Sequence, residues 1–207
     1  MASLNAWALT TLADVKETLG IDSGNTTSNN LIIRKINQAT DMIESYCGKN
    51  NSQHFISTVY TNEEYDGTGT EQLILKNRPV ITLTLLEQRN TTLNNADFST
   101  VTTDLYFTDK TAGVIDGRFE FLQYFNLYRV TYTAGFATIP SDLAEACATL
   151  ASYLYDNAST GSGVKKKSQG PKNIEYFQPT QGESLITQLG IDETLQRYTD
   201  IPILADK

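Results

Sequence analysis

Hydrophobic positions change their spacing twice along the chain. Near the start, Leu12, Val15 and Leu19 recur at helical steps. Thr11 stands where an N-cap is needed, Asp14 suits the positive first turn, and Gly20 can close the helix in a left-handed conformation. The polar stretch Ile21–Asn30 then reads as a loop. A stronger pattern runs from about Ser28 to Cys47, where Ile32, Ile36, Ala39, Ile43 and Tyr46 alternate steps of four and three. That stripe predicts a helix with one buried face, stopped by Gly48, Lys49, Asn50 and Asn51. From about Gln53 to Thr133 the period drops to two. Short β-branched and aromatic runs are separated by turn residues, among them Tyr65–Thr70, Lys76–Pro79, Asn94-Asn95 and Asp116-Gly117. Asp116-Gly117, between GVI and RFEFL, has the composition of a two-residue hairpin turn. The segment predicts an antiparallel sheet, sandwich or small barrel of roughly six or seven strands.

A third helix is expected from Pro140, because proline lacks the amide hydrogen that the first turn leaves unsatisfied. Leu143, Cys147, Leu150 and Leu154 form its stripe. Ala144, Ala146, Ala148 and Ala151 surround that stripe and permit close approach of a neighbour. After Asn157 the chain turns to a Gly/Ser/Lys-rich linker and then to scattered apolar residues. Leu185 and Leu189 suit one short helix, Leu195 and Tyr198 another. The expected fold is therefore α+β. Residues 1–50 and 137–158 make a helical bundle, 51–136 an inserted antiparallel β domain, and 159–207 a linker and C-terminal arm that orders mainly on docking to a partner.

Composition narrows the function. Of 207 residues, 40% are hydrophobic, enough for a real core, and 10% are aromatic, against disorder. No apolar run approaches the roughly 18 residues of a membrane span, so no membrane partner is expected. The N-terminus lacks a basic region followed by an apolar stretch, which argues against secretion and for a cytoplasmic origin. Cys47 and Cys147 fall on or beside predicted helix stripes and read as small buried hydrophobes. The net charge is −8, and each third of the chain is acidic. An acidic surface does not grip phosphates, although DNA can slide past it.

Candidate chemistry is sparse. His54 is the single histidine and has no nucleophile motif beside it. Glu63, Glu64 and Asp66 could bind calcium but lack regular oxygen-ligand spacing, and a solvated turn suits them better. Gly67-Thr68-Gly69 has no following Lys-Ser/Thr and no helix, so it reads as a turn and not a phosphate loop. No paired-carboxylate, elbow or metal pattern is present, so neither catalysis nor a cofactor is expected. Lys165, Lys166 and Lys167, with Lys172 nearby, form the one basic cluster. It reads either as a solvated linker or as a contact for an acidic partner surface or DNA. Tyr176 and Phe177 sit in a poor core environment, and with Leu185 and Leu189 they are candidate docking residues for another subunit, folding back on the same chain being the alternative.

The order short helix, long helix, β segment and proline-opened Ala-rich helix resembles the tailed-phage head–tail connector, or head completion, family. The specific part is Arg129–Tyr155: a strand with Tyr132, the turn Ala134-Gly135-Phe136, then Ile139-Pro140, Asp142 and an Ala-rich helix ending in Tyr153 to Tyr155. Two weaker likenesses are the short helix ahead of one closing on Tyr46-Cys47-Gly48, and the Asp-Gly turn, Leu-rich strand and Pro-Val between Tyr65 and Leu86. The resemblance spans roughly residues 10–157. It implies a virion neck protein: a dodecameric ring beneath the portal that extends the DNA channel, with a stopper or tail protein attaching to it. The portal, the stopper and sequence-independent double-stranded DNA would be its partners. Alternatives are another neck or tail-completion component, or a β-sandwich that binds carbohydrate.

Overall fold

The structure is a computed structural model and describes residues 2–49, 53–90, 97–160, 166–169, 172–175 and 184–199. The chain divides into two compact units, one made of residues 1–52 and 139–207 and the other of residues 53–138.

The first unit is built on three helices. α1 (Leu12–Thr18) opens with a capping box, in which the Thr11 hydroxyl accepts from the Asp14 amide and the Asp14 carboxylate accepts from the Thr11 amide. Gly20 follows with φ +64°, which a glycine adopts without Cβ strain. α2 (Asn29–Tyr46) buries Ile32, Ile36, Ala39 and Ile43 completely. Cys47, not the half-exposed Tyr46, ends that stripe. α3 (Ser141–Thr160) buries Leu143, Cys147 and Leu150, with Ala146, Ala148 and Ala151 beside them. Pro140 sits one step earlier than expected, at the cap, where its carbonyl accepts from the Ala144 amide. α2 and α3 pack together with α1 against both. The small alanine face lets Thr40 Oγ1 of α2 come within 3.6 Å of Cys147 Sγ. Burial pushes the Cys147 thiol up to about 12, so it is an inert core group, and both cysteines are buried and outside any disulfide.

Among the described residues the second unit holds seven strands: β1 (Thr58–Tyr65), β2 (Thr70–Ile74), β3 (Val80–Arg89), β4 (Phe98–Thr100), β5 (Tyr106–Asp109), β6 (Val114–Phe121) and β7 (Tyr128–Ala134). They form two antiparallel sheets, ordered β1-β7-β3-β4 and β2-β6-β5. β7 alternates buried and half-buried positions along its length, as a strand with one core face must. One apolar cluster joins residues of both sheets, including Leu73, Ile115 and Phe121 from the smaller and Leu86, Val130 and Tyr132 from the larger. The chain passes between sheets at residues 66–69 and 75–79, so the predicted turns at Tyr65–Thr70 and Lys76–Pro79 are sheet-to-sheet crossings. The turn expected at Asn94-Asn95 lies outside the described residues.

Asp116-Gly117 is not a turn. β6 runs straight through it, and the β5–β6 hairpin turns instead at Thr111–Gly113, with Gly113 at φ +69°. The β2–β6 register slips between Thr70 and Gln72, across the part of β6 that holds Gly117. A Cβ at Gly117 would lie 2.8 Å from the Phe119 carbonyl oxygen. This glycine therefore permits a close backbone approach inside a strand, which the dipeptide alone does not distinguish from a hairpin signal.

The segment Arg129–Tyr155 is pinned locally at its turn. Gly135 has φ +108°, and its amide donates to the Pro79 carbonyl at 2.9 Å. A Cβ there would sit 2.5 Å from the Ile56 carbonyl oxygen. Phe136 and Phe55–Ser57 exchange backbone hydrogen bonds beside it. Tyr132 lies within β7, two residues short of its end, and its hydroxyl enters a buried network. Tyr65 and Tyr132 both donate to the Glu63 carboxylate, at 2.5 and 2.6 Å. Asn77 Nδ2 donates to the Tyr132 oxygen at 2.9 Å, and the Lys76 amide donates to the Tyr65 oxygen at 3.1 Å.

Replacing Tyr132 with Phe removes one donor to Glu63 and strands the buried Asn77 amide. We expect a loss of about 1–3 kcal/mol in the β unit, the range for an unpaired buried polar group. Denaturant unfolding read by tyrosine fluorescence or near-ultraviolet dichroism measures it. A change under about 0.5 kcal/mol would show that the network is not stabilising.

Candidate functional site: surfaces for protein partners

The carboxylates weighed for metal binding are engaged within the chain. Glu63 accepts from two tyrosines, Glu64 pairs with Arg89 at 3.4 Å, and Asp66 Oδ1 accepts from the Asn126 amide at 2.8 Å. Glu87 pairs with Arg129 at 2.8 Å, and the Arg129 guanidinium lies 4.1 Å from the Phe98 ring centre. Arg89 stacks on the same ring at 4.9 Å. Among the described residues no group of three or more His, Cys, Asp or Glu could hold a metal ion. None of their helices is long and apolar enough to cross a membrane.

The candidate docking residues fare differently from one another. Lys165, Tyr176 and Phe177 lie outside the described residues. Lys166, Lys167 and Lys172 are in an antiparallel pair, β8 (Lys166–Gln169) with β9 (Lys172–Glu175), where Gln169 faces Lys172 and Lys166 faces Glu175 in register. A composition rich in Ser, Gly and Lys predicts a linker here, but backbone pairing needs no particular side chain. Leu185 begins α4 (Leu185–Gln188) and Leu189 caps its end, both half-buried.

Residues 184–199, expected in an arm that orders mainly on a partner, pack on their own helical unit. Ile186, Ile191 and Leu195 are buried, Leu195 completely, in α4 and α5 (Asp192–Gln196). α5 packs on α3, and the Leu195 carbonyl oxygen lies 3.7 Å from Cys47 Sγ. The Tyr198 hydroxyl donates to Asp142 Oδ1 at 2.6 Å, and Arg197 stands 3.8 Å from the same carboxylate. The pairs Leu185/Leu189 and Leu195/Tyr198 signalled two short helices, but helices of four and five residues leave too little periodicity to show which face packs where.

Two surfaces remain open. On the helical unit a groove of about 650 Å³ lies between α2 and α4, lined by Asn37, Asp41, Met42, Tyr46, Leu185 and Ile186. On the β unit a hollow of about 410 Å³ is lined by residues including Arg89, Val101, Leu105, Phe119 and Leu122. Beside it the β6–β7 loop exposes Leu122, Tyr124 and Phe125. Strand periodicity placed no emphasis on that loop. The signal available was three large apolar residues in a connection that has no core to enter.

The head completion protein family model matches residues 8–176. The chain belongs to the head completion protein family. The match extends past the helices into the segment that follows α3. None of the curated proteins compared with the chain resembles it significantly. Solved structures share the fold of this head completion protein, three of them as follows. One is a chain in the neck of an empty gene transfer agent particle computed with C6 symmetry, 18% identical, with a TM-score of 0.55 over 98% of this chain and 96% of that one. A second is in the neck of a native particle computed with C12 symmetry, 16% identical, with a TM-score of 0.54 over 100% and 96%. The third is from the virion of a native gene transfer agent particle, 16% identical, with a TM-score of 0.55 over 99% and 96%.

Two outcomes follow from the docked C-terminal segment. The Tyr198 hydrogen bond, foremost, holds the Asp142 carboxyl below its usual value, while burial and then the Asp142 bond push Tyr198 up to about 12. A depressed carboxylate stabilises above its unfolded value near 4 and loses that contribution as pH falls through its folded value. A raised phenol stabilises below its unfolded value near 10 and loses that contribution as pH rises through about 12. Protection of the amides of residues 184–199 against hydrogen exchange, corrected for the intrinsic pH dependence of exchange, should therefore fall below about pH 4 and above about pH 10, and Asp142→Asn should remove the acid limb. A flat profile would mean the contact does not hold the segment. Truncation after Gly163 removes Leu195 from its buried place and should destabilise the helical unit by about 2 kcal/mol or more. An unchanged melting temperature would restore the independent-arm reading.

Proposed function

We propose that this protein is a structural component of the neck of a tailed-phage-like particle, a head–tail adaptor that acts through subunit interfaces and not through a chemical site. The observation that carries the reading is the family match over residues 8–176, joined to a fold shared along nearly the whole chain with neck proteins of gene transfer agent particles. Those necks were computed with C6 and C12 symmetry, which supports a homo-oligomeric ring, dodecameric in the simplest case. The ring would sit beneath the portal, extend the DNA channel, and offer a platform to a stopper or tail protein. The helices would form its connector-type bundle. A cyclic ring repeats one heterologous contact around its axis, so each copy must present two different surfaces.

The acidic balance fits passage of DNA. A net charge of −8 on every copy repels phosphates, so DNA would move through without being held. Lys165, Lys166, Lys167 and Lys172, with Tyr176 and Phe177, remain our candidates for contact with the portal or an adjoining subunit. The groove that Leu185 lines would be a further contact.

The expected outcome is that the purified chain is monomeric or weakly associated and that the same chain forms a ring in necks. Native mass spectrometry of the pure protein and cryo-EM of particle necks measure the two states. Absence of the chain from mature particles would overturn the adaptor reading.

A further inference from the structure

The loop between β6 and β7 presents apolar surface that the β unit does not use. Phe121–Leu127 contains no charged residue, in a chain of which 19% is charged. Within it Leu122, Tyr124 and Phe125 are 52%, 63% and 74% exposed. Scattered apolar residues on a surface need no explanation, but three in one loop, two of them aromatic, resemble the charge-depleted centre of a protein interface.

The loop is also held in place. The Gly67 amide donates to the Tyr124 carbonyl at 2.9 Å, and the Gly69 amide to the Phe121 carbonyl at 2.7 Å. The Leu122 amide donates to the Tyr128 hydroxyl at 3.0 Å, and the Asn126 amide to Asp66 Oδ1 at 2.8 Å. Asn126 takes the left-handed conformation at φ +47°, which asparagine tolerates better than most residues. At Gly67 a Cβ would fall 1.6 Å from the Leu122 carbonyl oxygen, so no other residue lets the two turns approach this closely. A loop ordered before binding gives up little conformational entropy when it docks. Large rigid aromatic side chains are the usual anchors of such contacts.

We propose that Leu122, Tyr124 and Phe125 anchor the contact between neighbouring copies of this chain. The inference rests on the ring reading and names the surface that builds the ring. Charge selects the occupant. Every copy carries a net charge of −8, so two copies that met through charged surface would repel. An uncharged apolar loop is surface that acidic copies can bury together without that penalty. A basic protein or DNA would be recognised through charge, which the loop lacks. The receiving surface on the neighbour is a different patch, as a closed ring requires.

The test places the photo-crosslinking residue p-benzoylphenylalanine at position 125 of the full chain, in necks assembled in particles. We expect crosslinked dimers and higher multiples of this chain on denaturing gels, with the partner peptide identified by mass spectrometry. Crosslinks solely to a different polypeptide, or none at all, would overturn the proposal while leaving the neck reading standing. If the unsubstituted chain is itself missing from particles, the ring reading fails and this proposal falls with it. In parallel, the double variant Y124S/F125S should melt at the wild-type temperature, since both side chains are exposed, yet be depleted at least tenfold from particles. Normal incorporation of that variant would count against the loop as the anchor.

Discussion

The β unit depends on a polar knot at its centre. β1 and β7 are neighbours in one sheet, while the turn carrying Lys76 and Asn77 brings the chain from the other sheet. Glu63, Tyr65, Tyr132 and Asn77 join these pieces. Each tyrosine has one hydroxyl proton, and both point at the same Glu63 oxygen. The 2.9 Å approach of the two phenol oxygens therefore needs other donors to be tolerable. Asn77 Nδ2 and the Lys76 amide supply them. Bonds to a carboxylate are shorter and roughly twice as strong as neutral ones, which matches 2.5 and 2.6 Å. Burial foremost raises both phenol groups well above their ordinary range; after it, Tyr132 adds to the rise at Tyr65, and the Glu63 carboxylate to the rise at Tyr132. The knot specifies register more than it adds net stability, because a one-residue slip of β1 against β7 would bury these groups without partners.

From that knot the rest of the unit follows. With β1 and β7 locked, the Tyr65–Thr70 crossing starts at a set place, and Asp66 and Gly67 meet the β6–β7 loop. Tyr60 stacks on Tyr132 with ring centres 5.3 Å apart, extending the apolar side of the same strand pair. Phe121 contacts Tyr128 edge-on at 5.0 Å, closing the base of the loop. The helical unit packs chiefly through its apolar helix faces and also buries Lys16, Thr40 and Glu44, with Tyr155 donating to Ser28.

How much could be read from the amino acids depended on whether a feature was local. The helices were legible because Ile32–Ile43 and Leu143–Leu150 repeat at 3.6 residues, and because Thr11 and Asp14 form a cap that needs no distant partner. The strands were legible as runs, but their division into two sheets was not, since β7 pairs with β1 and β3 across long stretches of chain. Asp116-Gly117 misled because the reason for that glycine is Phe119 and Phe121 beside it, which dipeptide preference ignores. The C-terminal helices were legible as two short apolar pairs, Leu185/Leu189 and Leu195/Tyr198, but the packing of α5 on α3, with Leu195 buried, depends on distant residues and was not. The family resemblance was legible in Arg129–Tyr155. The exposed loop was not, because a run of apolar residues between two strands looks like core until exposure is known.

The distribution of used and unused groups then bears on function. Glu63, Glu64, Asp66, Glu87 and Asp142 all find partners within the chain. Of the large apolar side chains that the β unit exposes, Val59, Leu105 and Phe107 stand elsewhere, while Leu122, Tyr124 and Phe125 share one loop on a backbone held by four hydrogen bonds. A rigid apolar projection offers burial and shape without chemistry, and both are repaid when a second protein surface covers it. Were acidic copies of the chain to meet there, such a projection would also keep like charges apart at the point of contact.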